Sequence, residues 1–80
     1  MKLKREQIKS FEWEEKDVGA DDGEPLYEGT ITVHCTDGTT LKAYLDWVRQ
    51  GDMEDFCDGN INALMEYQQV YGIDDWALVK

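Results

Sequence analysis

The chain has 80 residues, of which 41% are hydrophobic and 11% aromatic. That is one domain's worth of sequence (1–80), with enough apolar side chain to argue against disorder but only a small core. Its 18 acidic residues outnumber 8 basic ones, for a net charge of −10. Such a balance argues against direct contact with nucleic acid or an anionic membrane, and it favours a basic protein surface as partner.

Basic residues gather at the start, at Lys2, Lys4, Arg5 and Lys9. The opening Met1-Lys2-Leu3-Lys4-Arg5 runs into polar sequence, so no signal peptide is expected, and no apolar run is long enough for a membrane helix. Two cysteines, Cys35 and Cys57, make no disulfide framework, and a reduced, cytoplasmic setting is expected. From Phe11 to Glu15 the order Phe-Glu-Trp-Glu-Glu predicts a strand with Phe11 and Trp13 inward and Glu12 and Glu14 outward. Ile8 is out of phase with that pair, which implies either a bulge or a helix over 5–15; the strand is preferred. Asp17 to Pro25, rich in glycine and acids, reads as a loop.

Tyr27 to Leu45 is the best-determined stretch. Tyr27, Gly29, Ile31, Val33 and Cys35 alternate with polar residues, and so do Leu41, Ala43 and Leu45 across the turn at Thr36-Asp37-Gly38. A two-residue Asp37-Gly38 loop would set Val33 against Lys42 and mix the two faces. A three-residue loop with Gly38 left-handed in a bulge instead sets Val33 against Leu41, Ile31 against Ala43 and Gly29 against Leu45, with His34 opposite Thr40. The bulged turn is therefore predicted.

After Leu45 the period changes. Leu45, Val48 and Trp47 approach helical spacing, and Gly51 is expected to stop a short turn of helix. A helix beginning already at Thr40 is the alternative. Asp58-Gly59-Asn60 offers an N-cap, and Ile61, Leu64, Met65 and Gln68 follow at helical spacing, so a helix is expected over about 59–71, ending at Gly72. Trp76 to Val79 reads as a closing strand. The predicted fold class is α+β: a small antiparallel sheet of three or four strands around the 27–45 hairpin, packed by the C-terminal helix.

Catalytic constellations are poorly served. There is one serine, Ser10, and one histidine, His34, and the adjacent Cys35 faces away from His34 on the strand. No catalytic residue is assigned, no glycine-rich phosphate loop occurs, and no cofactor is expected. Asp17 to Glu28 partly resembles an EF-hand loop, with Asp at position one, Asp21 at position five and Glu at position twelve. Gly19 at position three and Asp22 in place of the sixth-position glycine depart from that pattern. No zinc-ligand spacing exists, and no metal site is assigned.

The acids themselves are the clearest signal. Glu12, Glu14, Glu15, Asp17, Asp21, Asp22, Glu24 and Glu28 lie together against a single base, Lys16. Asp46, Asp52, Glu54, Asp55 and Asp58 form a second group, joined by Asp74 and Asp75. On a strand, Glu12 and Glu14 project from one face about 6.6–6.8 Å apart, a row of fixed negative charge such as a basic nucleic-acid groove attracts. Exposed aromatics among Trp13, Tyr27, Tyr44 and Trp47 could anchor such a contact, the core being the better place for Trp13 and Tyr27. In size, charge and compact α+β layout the chain resembles small acidic phage-encoded inhibitors, the anti-CRISPR and anti-restriction proteins, some of which mimic DNA. The resemblance implies a non-enzymatic inhibitor acting in a bacterial host's cytoplasm. It would bind a basic nucleic-acid-binding surface of an anti-phage complex; the resemblance assigns no contact residue, and it is the clustering of charge that points to the Glu12–Glu28 acids as supplying most of the attraction. Immunity proteins of nuclease toxins are similar by the same criteria. A generic interaction module and a calcium-binding domain are the alternatives.

Overall fold

In the computed structural model, which describes residues 2–21 and 23–79 (only the backbone of residues 20 and 21), one sheet carries two helices on a single face. A 3-10 turn, Arg5–Gln7, leads into β1 (Ile8–Asp21), β2 (Glu24–Cys35) and β3 (Thr40–Arg49). Helices α1 (Gln50–Cys57) and α2 (Ile61–Val70) follow, and β4 (Ala77–Leu78) closes the chain. The strand order is β1-β2-β3-β4, antiparallel throughout. The expected α+β class and the C-terminal helix are both present.

The β2–β3 hairpin has the predicted register. Val33 pairs with Leu41, Ile31 with Ala43, Gly29 with Leu45 and His34 with Thr40. Gly38 takes φ 91°, and its N–H donates to the Cys35 carbonyl at 3.1 Å. Glycine meets this left-handed position without a Cβ penalty. Asp37 stiffens the loop by accepting the Thr39 N–H at 2.9 Å, which holds its carboxyl below the usual carboxylate range.

Two expectations are overturned. The supposed loop from Asp17 to Pro25 is the distal part of a long β1–β2 hairpin: Val18 pairs with Tyr27, Gly19 with Leu26, Ala20 with Pro25 and Asp21 with Glu24. A ladder needs only backbone groups, so it continues where there is little left to bury. Pro25 is tolerated because β3 ends opposite Leu26, leaving β2 bonded on one side beyond it. The supposed helical turn after Leu45 is also strand, and Gly51 lies inside α1 rather than ending a helix. Leu45 and Val48 are both buried because a bulge adds one residue between them: Glu28 alone is opposed by Asp46 and Trp47. A second bulge, at Lys9, turns Ile8 and Phe11 to the same side, as the first of the two readings at Ile8 expected. A third sits at Lys16.

The covered face carries Phe11, Ile31, Val33, Cys35, Leu41, Ala43 and Leu45, closed by Phe56 of α1 and Leu64 of α2. Phe56 is the junction. Its ring stacks on Trp13 at 5.4 Å and meets Phe11 and Tyr67 edge-on at 6.4 and 5.3 Å. Trp13 in turn lies across Gly29, where a Cβ would sit 2.6 Å from the indole ring and 2.5 Å from the Glu14 carbonyl oxygen. Helix α2 starts at Asn60, whose side chain accepts the Ala63 N–H at 3.2 Å, and ends at Gly72 with φ 64°. Both features lie where the sequence placed them. The one buried polar side chain among the described residues, Gln68, ties the two chain ends together. Its Oε1 accepts from Leu3 N–H at 2.8 Å and from Trp76 Nε1–H at 2.9 Å, and its Nε2 donates to the Leu3 carbonyl at 2.9 Å.

Two substitutions test this packing by thermal melting. Gly29→Ala forces the Trp13 ring and the β1 backbone apart and costs about 1–3 kcal/mol. Gln68→Leu keeps the volume but strands three buried polar groups and costs about 1–3 kcal/mol or more. A melting temperature unchanged by either would contradict the corresponding contact.

Candidate functional site

The face of the sheet opposite the helices is open. Alternation along β1 puts Glu12, Glu14 and Asp17 on it; β2 adds Glu28, Thr30, Thr32 and His34, and β3 adds Thr40, Lys42, Tyr44 and Asp46. The structure therefore gathers Glu12, Glu14, Asp17 and Glu28 from the first acidic group, and Asp46 from the second, on one surface. Glu15 follows the parity of Trp13 and falls on the other side. Asp21 and Glu24 pair at the hairpin tip, and Asp22 lies outside the described residues. The twelve-residue window from Asp17 to Glu28 is thus a hairpin whose first and last residues face each other, which is not the geometry of a calcium loop. Among the described residues no three potential ligands come together as a metal site.

Local compensation of these charges is slight. Lys16 Nζ lies 3.7 Å from Glu28 Oε2, the one ion pair to a lysine or arginine among the described residues. It also sits over the Tyr44 ring, 5.7 Å from the centroid. His34 Nε2 is 3.2 Å from Glu12 Oε1. The Glu28 carboxylate next to the Tyr44 hydroxyl, with the charges of Asp46 and Asp17 nearby, pushes the phenol up to about 12. At the distal end of this face Asp17, Glu28, Asp46 and Trp47 line a notch together with Gly19 and Leu26. Tyr44 and Trp47 are 47% and 64% exposed, whereas Trp13 and Tyr27 pack against the core. The division expected among the four aromatics is the one observed.

Much of the second acidic group serves the fold instead. The Tyr67 hydroxyl donates to Asp55 Oδ2 at 2.6 Å, and the Tyr71 hydroxyl donates to Asp52 Oδ2 while accepting the Arg49 N–H at 3.4 Å. These bonds dock α1 on α2. Asp58 forms the C-cap of α1, Glu54 accepts from Gln50 Nε2 at 3.4 Å, and Asp74 and Asp75 lie in the exposed connection to β4. The structural role of Asp52 and Asp55 was not foreseen because helix α1 was not foreseen. A signal did exist in the tyrosines at 67 and 71, spaced by four on the helix that follows. Both cysteines are free; burial pushes the Cys35 thiol up, and Cys57 is exposed on α1 with its thiol 3.4 Å from Met53 Sδ. No helix among the described residues is long and apolar enough to cross a membrane. No protein-family model, curated protein or solved structure matches the chain.

The tyrosine–aspartate bonds give stability a pH signature. Burial, and then the bond to Asp52, push the Tyr71 phenol up to about 12; the bond to Asp55 pushes Tyr67 up as well. A phenol whose pKa is raised by folding stabilises the fold below its unfolded pKa of about 10 and loses that contribution as pH rises through the folded value. The melting temperature should therefore fall from about pH 10 upward, and Asp52→Asn should bring Tyr71 ionisation to lower pH. Tyrosinate absorbance rising for all tyrosines in one step with its midpoint at about pH 10, with the fold intact, would contradict these bonds.

Proposed function

We propose that the chain is a non-enzymatic binding protein whose open acidic face occupies a basic, nucleic-acid-binding surface of another protein and keeps nucleic acid out. The observation that carries this reading is the gathering of Glu12, Glu14, Asp17, Glu28 and Asp46 on one uncovered sheet face with Lys16 as their only close lysine or arginine partner among the described residues. Carboxylates at strand spacing form a regular negative array on a rigid support. A basic groove attracts it for the same reason that it attracts phosphates, and the gain is largest at low salt. The sheet fixes the backbone that carries the array, so binding orders side-chain rotamers but no backbone. The resemblance to small acidic anti-defence inhibitors favours a bacterial anti-phage complex as the target.

The test is capture from a bacterial host lysate at low salt, followed by elution with duplex DNA. Nucleic-acid-binding proteins should be retained, released by DNA and by salt, and retained at least about tenfold more weakly by the variant carrying Glu12→Lys, Glu14→Lys and Asp17→Lys. Retention that survives both DNA competition and charge reversal would overturn the reading.

A further inference from the structure

Trp47 is the residue folding explains least. It takes φ 60° in the bulge opposite Glu28, a conformation that suits glycine and is costly for a bulky side chain. Its indole is outside the hydrophobic core and 64% exposed. The flanking Val48 is fully buried, so the bulge keeps the core register while turning the Trp47 ring onto the open face. There it borders a notch of about 270 Å³ lined also by Asp17, Gly19, Leu26, Glu28 and Asp46. Arg49, opposite Leu26, flanks the notch, and Lys16 lies over Tyr44 beside Glu28.

We infer that this notch seats an arginine side chain of the basic partner, its guanidinium flat against Trp47 and forked onto the surrounding carboxylates. The inference rests on the acidic-face reading and names the residue class that reading leaves open. Charge selects a cation: three acidic residues, Asp17, Glu28 and Asp46, line the notch. The exposed ring selects arginine over lysine, because a planar guanidinium stacks on indole and bonds two carboxylate oxygens at once, while an ammonium is a strongly hydrated point charge. Within the chain the same chemistry already occurs one strand away. Lys16 lies 3.7 Å from the Glu28 carboxylate and 5.7 Å from the centroid of the Tyr44 ring. An exposed aromatic with a rigid backbone and an acidic rim is also where binding energy concentrates in protein interfaces.

The experiment titrates the full chain with hexa-arginine and hexa-lysine at low salt, following the Trp47 indole N–H signal by NMR and the affinity by calorimetry. Hexa-arginine should shift that signal and bind more tightly than hexa-lysine. Trp47→Gly should relieve the left-handed strain, so its melting temperature holds or rises, yet it should weaken hexa-arginine roughly threefold to tenfold and erase the preference over hexa-lysine. Equal hexa-arginine binding by wild type and Trp47→Gly would overturn the arginine seat and leave the acidic-face reading standing. Failure of the wild type to bind either peptide would overturn both.

Discussion

The fold depends on one ring. Phe56 is the only residue of α1 that is fully buried, and it touches aromatic side chains from β1 and from α2 together. An 80-residue chain has a small core and a net charge that pushes its parts from one another, so attraction must be concentrated rather than spread. Three aromatic contacts around Phe56 supply it. They also fix Trp13, and Trp13 fixes the requirement for glycine at position 29. Around this hub the polar ties are peripheral: Gln68 closes the chain ends, and the tyrosine–aspartate bonds hold α1 on α2.

Placing both helices on one face has a functional corollary. The buried apolar core lies on that side, and the other face is left with threonines, carboxylates, His34, Lys42 and two exposed aromatics. Carboxylates that would repel one another in a compact core are held apart there by strand geometry. The acidic excess is therefore divided by position. Asp52 and Asp55 are consumed by helix docking, whereas Glu12, Glu14, Asp17, Glu28 and Asp46 stand on the open face.

What could be read from the sequence follows the same physics. The 27–45 hairpin was legible to the residue because both strands alternate cleanly and only one loop length aligns their apolar sets. Asn60 and Gly72 announced α2 through capping chemistry. Bulges were harder, since one extra residue turns period-two alternation into a three-residue step that looks helical. Leu45 and Val48 were misread in this way, and Ile8 and Phe11 left two readings open. The distal hairpin was missed because backbone pairing can carry acids and glycines without burying them. Of the candidate site, the acids of β1 were visible, but their union with Asp46 and Trp47 depends on a bulge that no local pattern announces.

The position of β1 at the end of the sheet carries one more consequence. Its outer backbone pairs with no strand among the described residues and is long enough to invite another chain. Two of its residues, Lys9 and Lys16, are the inserted members of bulges, and between them lie Glu12, Glu14 and Glu15. Bulges and charges are the devices by which natural sheets discourage edge-to-edge stacking. A second copy aligned here would set like carboxylates side by side, so the edge works as a sign filter. The acidity that gathers on the open face thus also sets like charges along the free edge of β1, where another strand would have to pair.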